Sequence, residues 1–443
     1  MQHPSDVRVL SADVTFSDER LSTPLRISRG TIEAITYAEA RLTVVNRRGK
    51  TAIGLGAILL SDLWAFPHPT LDHPTKDATL RAVCLELARR LPTVDEPSDP
   101  LHKHAPWETL LANAVATVET AYGWPAGTLP RLAAAVCLSP FDSALHDGWA
   151  KAIGAPAYAL YEADWLNSDL SVYLGQEFRG RYPADYVAPR RTQLRVQHVV
   201  GMGDSLTPQA GAAPSGYPDL VTWTRQDGLS VFKIKTQGSD PEIDARRTAV
   251  VFDTIMAAAP ATPIALSVDP NEACPDAAFL LTMLDCLERT APAAYAALDY
   301  IEQPTARDLT GYDFTLHAVA ARKPVIIDES FDALAVLPWV EAQGWSGIAL
   351  KTCKGQTASL LAYCWGKQTG HYLTLQDLTN PGLALVHSAN LCAQLALSVD
   401  YFEGNNRQYM PQSRPAERAA FPAYFHVTAG SLHIPATQGP GLY

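Results

Sequence analysis

Seven short runs rich in apolar and β-branched residues recur at nearly regular intervals in the second half of the 443-residue chain. Successive charged residues that end these runs are 23 to 34 positions apart. The longest interval runs from Lys235 to Asp269 and the shortest from Asp328 to Lys351. A strand, a helix and their loops need about this length, since eight such units make a barrel of ~250 residues. With an initial strand near residues 194–200, the pattern predicts an α/β fold with a TIM-like (β/α)8 barrel. The seven end residues are Lys235, Asp269, Glu302, Asp328, Lys351, Asp377 and Glu403.

The sequence before the barrel predicts a separate α+β unit. Residues 42–46 and 51–56 are strand-like and flank a polar turn, which is typical of a hairpin. Helical periodicity follows over about 75–121 and 133–152. The predicted parts are an α+β domain over residues 1–150, a long connection over 151–192 with one short strand at 170–174, and the barrel over 193–409.

Composition limits the partners that we expect. Lys+Arg 35 and Asp+Glu 46 give a net charge of −11, so nucleic acid and anionic membranes are poor partners. The seven cysteines include no Cys-x-x-Cys pair, which argues against a disulfide framework and a thiolate zinc site. The first residues do not have the pattern of a signal peptide, and no apolar run reaches the ~18 residues of a membrane span. We therefore expect a cytoplasmic protein.

Three carboxylates end consecutive strands of the predicted barrel, where the catalytic groups of such barrels lie. They are Asp269, Glu302 and Asp328. Since side chains alternate along a strand, all three can point into the barrel mouth. Hard oxygen ligands without histidine or cysteine favour Mg²⁺ over zinc. The sequence therefore predicts a magnesium site, with salt-bridged strand ends as the alternative.

Lysines flank these carboxylates in strand order. Lys233 and Lys235 share one face of the second barrel strand, and Lys351 ends the sixth, on the opposite side of a barrel. A substrate held between them would have a lysine on each face. A partly desolvated lysine near other cations has a lowered pKa and can act as a general base. The alternative is that the lysines only neutralise the carboxylates.

These motifs, in this order, resemble the enolase superfamily, and within it the muconate-lactonizing-enzyme-like (mandelate racemase/muconate lactonizing enzyme) members. The resemblance implies that residues 1–150 cap the barrel, that the tail 410–443 returns to the cap, and that the barrel has the modified (β/α)7β form. Outside the barrel it rests on residues 24–30, 141–147 and 429–442. The matching barrel segments are Lys233-Ile234-Lys235, Val268-Asp269-Pro270-Asn271, Ile301-Glu302-Gln303-Pro304, Asp328-Glu329-Ser330 and Lys351-Thr352-Cys353-Lys354-Gly355.

The resemblance also implies roles for single residues. Asp269, Glu302 and Asp328 would bind Mg²⁺. Lys235 and Lys351 would be acid/base groups on opposite faces, and Lys233 would stabilise a developing enolate oxygen. Candidate substrate-binding residues are Arg26, Asn271, Asp377 and Glu403.

Other segments are less determined by the resemblance. Arg29, near Arg26, and Trp64, in a loop after a strand of the small domain, belong to candidate lid segments. They either touch a substrate or pack as ordinary surface and core residues. Strand eight ends Glu403-Gly404-Asn405, without the Asp-x-Asp of dipeptide epimerases, and the His–Asp dyad of mandelate-racemase-like members is absent.

The sequence therefore predicts a Mg²⁺-dependent enzyme that removes the proton α to the carboxylate of a small molecule, through an enediolate intermediate. Two bases on opposite faces favour a racemase or epimerase, with a cycloisomerase or a dehydratase (lyase) as the alternatives. A non-catalytic barrel relative and a metal-dependent hydrolase are rivals from other classes. The hydrolase is disfavoured because strand one has no His-x-His. We also expect a homo-oligomer.

Overall fold

The computed structural model describes residues 3–27, 30–93, 96–208 and 218–443. Within these ranges the chain opens with an antiparallel sheet in the order β1-β2-β3, followed by helices. Helix α2 begins where Asp72 accepts a hydrogen bond from Thr75 N, and α4 ends at Gly154, whose φ of 96° suits a glycine. The elements are β1 (Val7–Ile27), β2 (Gly30–Asn46), β3 (Thr51–Leu59), α1 (Asp62–Ala65), α2 (His73–Arg90), α3 (His104–Ala121) and α4 (Arg131–Ile153).

Helix α4 is buried along most of its length between this sheet and the barrel. Two glycines of β3 allow the close approach of strand and helix. A Cβ atom at Gly54 would lie 1.8 Å from the carbonyl oxygen of Ala144, and one at Gly56 would lie 2.0 Å from that of Pro140. Strands β2 and β3 pair antiparallel, so the β-hairpin predicted over residues 42–56 is present. Its second strand packs directly on a helix backbone.

The connection before the barrel contains the short helix α5 (Ser171–Leu174). The strand predicted at 170–174 is wrong. Asp169 accepts hydrogen bonds from the backbone N and the hydroxyl of Ser171, which favours a helical turn there. Tyr161 and Phe178 of the same connection are fully buried, so it packs against the rest of the molecule.

Eight parallel strands of the described chain form a closed barrel, in which the last strand pairs with the first. This confirms the predicted fold class. The strands are β4 (Gln193–Val200), β5 (Val231–Lys235), β6 (Ala265–Asp269), β7 (Leu298–Glu302), β8 (Val325–Ile327), β9 (Gly347–Lys351), β10 (Tyr372–Gln376) and β11 (Tyr401–Glu403).

Helices surround the barrel. Several begin at an aspartate whose side chain accepts from the first turn, as at Asp219, Asp240 and Asp276. The helices are α6 (Leu220–Asp227), α7 (Pro241–Ala258), α8 (Ala277–Thr290), α9 (Pro292–Ala297), α10 (His317–Ala320), α11 (Leu337–Ala342), α12 (Gln356–Thr369), α13 (Gly382–Gln394), α14 (Asn406–Tyr409) and α15 (Pro415–Ala420). None of the helices in the described part of the chain combines the length and the apolar character that crossing a membrane requires.

The barrel interior follows the strand alternation predicted from the sequence. Val231 packs inside the barrel with Tyr300 and Ile326, whereas Phe232 and Ile234 belong to the core under the helices. Lys233 and Lys235 share the inward parity of Val231. The alternation therefore carries these two lysines to the carboxyl end of the barrel.

The tail forms two short strands, β12 (Val427–Thr428) and β13 (Ser431–His433). Strand β13 pairs antiparallel with β4 of the barrel. The last residues reach the N-terminal unit, where Leu442 N donates to Asp147 Oδ1 at 3.0 Å and Tyr443 OH donates to Leu55 O at 3.0 Å. The tail thus contacts both units, and the boundaries at 150, 192 and 409 stay predictions.

Candidate active site

The carboxylates and lysines at the strand ends meet at the carboxyl end of the barrel. Lys233 is at their centre and is almost fully buried. Its Nζ lies 3.0 Å from Asp269 Oδ2, 2.7 Å from Glu302 Oε1 and 2.9 Å from Glu403 Oε2. One ammonium therefore links acids from three different strands.

The other two predicted lysines approach from opposite walls, since β5 and β9 are four strands apart in the barrel. Lys235 Nζ lies 2.6 Å from Asp269 Oδ2 and 2.9 Å from Asn271 Oδ1. Lys351 Nζ lies 2.6 Å from Asp328 Oδ2. The space between the two ammonium groups is thus bounded by carboxylates.

The pKa values reflect this pairing. Burial by itself lowers the pKa of Lys351, but Asp328, Glu302 and Glu403 together outweigh it, so the pKa is raised above its ordinary value. The pKa of Lys233 is also raised, because its neighbouring carboxylates outweigh the effect of burial. Each of these two ammonium groups contacts an anion, so its pKa shifts in the direction opposite to the lowering expected from neighbouring cations.

The carboxylates differ in their surroundings. Burial raises the pKa of Glu302, and contact with Lys233 only partly offsets this. Burial also acts on Asp328, but Lys351 and Lys354 outweigh it and lower its pKa. Lys354 Nζ lies 2.9 Å from Asp328 Oδ1, so Asp328 contacts one lysine with each oxygen.

The donor chemistry of Asp269, Glu302 and Asp328 fits Mg²⁺, because they offer buried hard oxygens on three adjacent strands. As they stand, no three histidine, cysteine or acidic side chains in the described ranges converge closely enough to hold a metal ion. The reason is visible in the contacts, since the ammonium groups of Lys233 and Lys351 lie between the carboxylates.

The candidate substrate-binding residues are placed differently from one another. Asn271 and Glu403 line the cavity at the barrel mouth, as does Asp377. The oxygens of Asp377 accept from Asn380 and Ser388, so that its carboxylate is held by its own loop and helix. Arg26 lies on β1, where its backbone pairs with that of Thr31, but its side chain is outside the described part of the structure, and Arg29 lies outside the described residues altogether.

Gln376 is a site residue that the sequence prediction missed. Strand β10 ends at Gln376, one residue before Asp377, the charged residue that the sequence pattern predicts as the strand end. Its register places it beside Lys351 on β9 and Glu403 on β11. Its side chain is fully buried and donates to Glu302 Oε2. Counting inward positions along β10 from Thr374 would have found it.

The N-terminal unit contributes the roof of the cavity. Trp64 of α1 lies with its ring centroid 5.0 Å from Lys351 Nζ, and its Nε1 donates to Glu329 Oε1 at 2.9 Å. The cavity encloses ≈ 70 Å³. Its apolar lining comes from Ile35, Trp64, Val199 and Leu378. Of the two alternatives left open for Trp64, the structure favours a place at the site.

Solved structures of epimerases and of a muconate lactonizing enzyme share this fold of a capped parallel barrel. The L-Ala-D/L-Glu epimerase from Bacillus subtilis is similar at a TM-score of 0.62 and 17% identity, covering 98% of each chain. The muconate lactonizing enzyme from Pseudomonas fluorescens, complexed with muconolactone, is similar at a TM-score of 0.60 and 18% identity. The match covers 99% of this chain and 96% of that chain.

A third similar structure is the dipeptide epimerase from Enterococcus faecalis, complexed with Mg and the dipeptide L-Leu-L-Tyr. Its TM-score is 0.61 at 17% identity, covering 98% of this chain and 99% of that chain. No protein-family model and no curated protein matches the sequence. The resemblance predicted from the motifs is thus confirmed at the level of the fold.

Proposed function

We propose that this chain is an enolase-superfamily enzyme that removes the proton α to a substrate carboxylate and acts as a racemase or epimerase. The observation that carries the proposal is the approach of Lys235 and Lys351 from opposite walls of one buried cavity. A substrate between them would have one ammonium or amine on each face. This arrangement suits inversion at a carbon centre.

The chemistry of the proposed reaction uses the two lysines in turn. One lysine, as the neutral amine, takes the α-proton, and the electrons of the C–H bond form an enediolate. The other lysine, as the ammonium, returns a proton to the opposite face. Lys233 would stabilise the developing negative charge on oxygen, because a preorganised cation near such charge lowers the barrier.

We propose Mg²⁺ as the cofactor, held by Asp269, Glu302 and Asp328. A bound divalent cation would supply positive charge for the substrate carboxylate. The three buried carboxylates support this assignment, as does the Mg in the similar E. faecalis epimerase structure. Asp377, Glu403, Asn271 and Arg26 stay candidate substrate-binding residues.

The lysines that line the cavity at the barrel mouth support a carboxylic acid as the substrate class, because they place positive charge on its walls. A one-base cycloisomerase is the second candidate, because a muconate lactonizing enzyme is as similar in fold as the epimerases. The cytoplasmic location and the homo-oligomeric state stay predictions from the sequence.

The test is a screen of small α-chiral carboxylic acids in D₂O with Mg²⁺, in which proton NMR follows loss of the α-proton signal. We expect α-deuterium incorporation into at least one acid and its loss with EDTA. The Lys235→Ala/Lys351→Ala double variant is the matched control and should not exchange. Exchange that persists in EDTA would overturn the metal assignment, and exchange that persists in the double variant would overturn the lysine assignment.

A further inference from the structure

Trp64 is held at the barrel mouth by contacts to three different parts of the barrel. Its indole Nε1 donates to Glu329 Oε1 at 2.9 Å. Its backbone oxygen accepts from Arg307 Nη2 at 3.0 Å, and Arg307 is itself fixed by Glu272. The third contact is the ring face, whose centroid lies 5.0 Å from Lys351 Nζ. Trp64 is only 7% exposed, so its ring has a fixed place.

The segment around Trp64 is anchored on the cap side as well. The neighbouring Asp62 lies 2.9 Å from His73 Nδ1 and 3.0 Å from Lys76 Nζ. The end of the preceding strand is tied to the barrel, because Leu59 N donates to Asn380 Oδ1 at 3.0 Å. The ring therefore does not depend on Lys351 for its position, and the ring can act as a wall for the ammonium.

The two proposed acid/base lysines differ in this respect. Lys351 is bounded by Asp328 on one side and by the Trp64 ring on another. Lys235 instead contacts Asp269 and Asn271, and in the part of the chain that the structure describes no aromatic ring lies over its ammonium. A cation is attracted to the face of an indole ring, so the ring restrains Lys351 and not Lys235.

We propose that the Trp64 ring is a positioning group for Lys351, which makes proton transfer on one substrate face depend on direct contact with the cap, whereas Lys235 on the other face is linked to Trp64 through Asn271 and Glu329. This inference deepens the proposed function and rests on it. In this arrangement, the ring and Asp328 hold Nζ of Lys351 toward the cavity. Without the ring, the flexible lysine side chain can adopt more rotamers, and a smaller fraction of these places Nζ against the substrate.

The first test reads the position of Lys351 without any substrate or metal. Trace acetylation, quantified by mass spectrometry of the resulting peptides, compares the reactivity of Lys351 and Lys235. We expect Trp64→Leu to raise the labelling of Lys351 severalfold and to leave Lys235 unchanged. Trp64→Phe keeps a ring and should stay close to the original protein. The matched control is Trp339→Leu, since Trp339 is 43% exposed on α11.

The second test measures α-proton exchange in D₂O for each stereoisomer of an acid that the screen identifies. Lys235→Ala and Lys351→Ala define which isomer each lysine serves. We expect Trp64→Leu to slow exchange of the Lys351 isomer by about tenfold, with little change for the other isomer. Circular dichroism and thermal unfolding establish that the variants are folded, and Trp64→Met, which also lacks a ring, replaces Trp64→Leu if the latter is not.

The outcomes separate the two proposals. Equal slowing of both isomers, or Lys351 labelling that does not change in a folded Trp64→Leu variant, would overturn the positioning role. A labelling change together with a complete lack of exchange in the original protein would support the restraint of Lys351 by the Trp64 ring, but it would overturn the proposed function and with it the role of the ring in proton transfer. If Trp64→Phe slows exchange of the Lys351 isomer as much as Trp64→Leu does, the effect belongs to the hydrogen bond with Glu329, and the role of the ring is overturned.

Discussion

The side-chain amide of Gln376 donates a hydrogen bond to Oε2 of Glu302 across the barrel mouth, from β10 to β7. The other oxygen of Glu302, Oε1, lies 2.7 Å from Lys233 Nζ. One oxygen is thus fixed by a neutral donor and the other contacts a cation. If Glu302 holds a divalent cation, as proposed, Gln376 would keep its carboxylate oriented.

Replacement of Gln376 should therefore weaken metal binding. Gln376→Leu keeps much of the side-chain shape but leaves Glu302 Oε2 without its amide donor. We expect a loss of Mg²⁺ affinity of about 10- to 100-fold, which isothermal titration calorimetry measures. Gln412→Leu, at an exposed position, is the control and should bind Mg²⁺ normally. Unchanged affinity in a folded Gln376→Leu variant would contradict the orienting role.

Lys235 and Lys351, the two proposed acid/base residues, should be separable by the substrate isomer that each serves. Lys235→Ala and Lys351→Ala should each lower turnover by at least about a hundredfold, because each removes one proton-transfer group. Lys235→Ala should still exchange the α-proton on the Lys351 face, and Lys351→Ala should do the opposite. NMR in D₂O with each isomer measures this, and Lys367→Ala on the exposed end of α12 is the control.

Loss of both exchange reactions in either single variant would argue against two independent bases. If Lys351→Ala leaves exchange intact on the only isomer that turns over, Lys351 is not a base. The cycloisomerase or lyase alternative would then replace the racemase, with Lys351 as a charge-stabilising group.

Buried neutral histidines between α4, α12 and α13 should make a contribution to stability that is lost as the pH falls below neutrality, whereas buried acids with a raised pKa, such as Glu302 and Asp377, contribute in the opposite direction. Burial lowers the pKa of His387 to about 3 from its ordinary value of 6.5, and its Nε2 is hydrogen bonded to Gln356 Oε1. Between these values the unfolded chain binds a proton that the folded chain does not. The free energy of unfolding therefore decreases as the pH falls, by at most about 1.4 kcal/mol per pH unit for this group.

Urea denaturation between pH 7 and pH 5 measures this slope. His387→Gln retains a donor for Gln356, and between pH 7 and pH 5 it should lose less stability than the original protein does. Part of the slope should remain, because burial also lowers the pKa of His146. His426→Gln, at an exposed position, should leave the slope as it is. A slope that His387→Gln does not change would show that this histidine does not contribute.

The parts of the molecule that could be predicted from the sequence are those with a local signal. The barrel strands carry a regular spacing and an alternation of side chains, and these alone bring Lys233 and Lys235 to the same face. The acids at the ends of β6 and β7 follow from the same regularity. The error at residues 171–174 has a local cause, because the hydrogen bonds from Ser171 to Asp169 compete with a strand.

The parts that could not be predicted depend on contacts between distant segments. Trp64 and Glu329 are 265 positions apart in sequence, and nothing in either segment indicates their hydrogen bond. The raised pKa of Lys351 depends on which carboxylate its flexible side chain contacts. The reason is different for Gln376, since the neighbouring Asp377 continues the series of charged strand ends and Gln376 carries no charge.

The contact between β3 and α4 gives a test of how the cap is built. Both glycines of β3 lie against the helix backbone, and at Gly54 an added Cβ would lie 1.8 Å from Ala144 O and 2.6 Å from Gly148 N. Backbone atoms cannot rotate away as a side chain can, so β3 and α4 must move apart. Gly54→Ala should therefore lower the free energy of unfolding by about 2 kcal/mol or more, as overpacked cores do.

Urea denaturation provides the measurement, with the midpoint compared at constant slope. Gly439→Ala is the control, because a Cβ there meets nothing within 4 Å, and it should change stability by no more than about 0.5 kcal/mol. Since Asp142 of α4 accepts from Thr357 N of α12 at 2.8 Å, a shift of α4 also reaches the helix that follows Lys351. Gly54→Ala should therefore reduce turnover as well as stability. Equal urea midpoints for Gly54→Ala and Gly439→Ala would mean that β3 and α4 can move apart without a loss of stability.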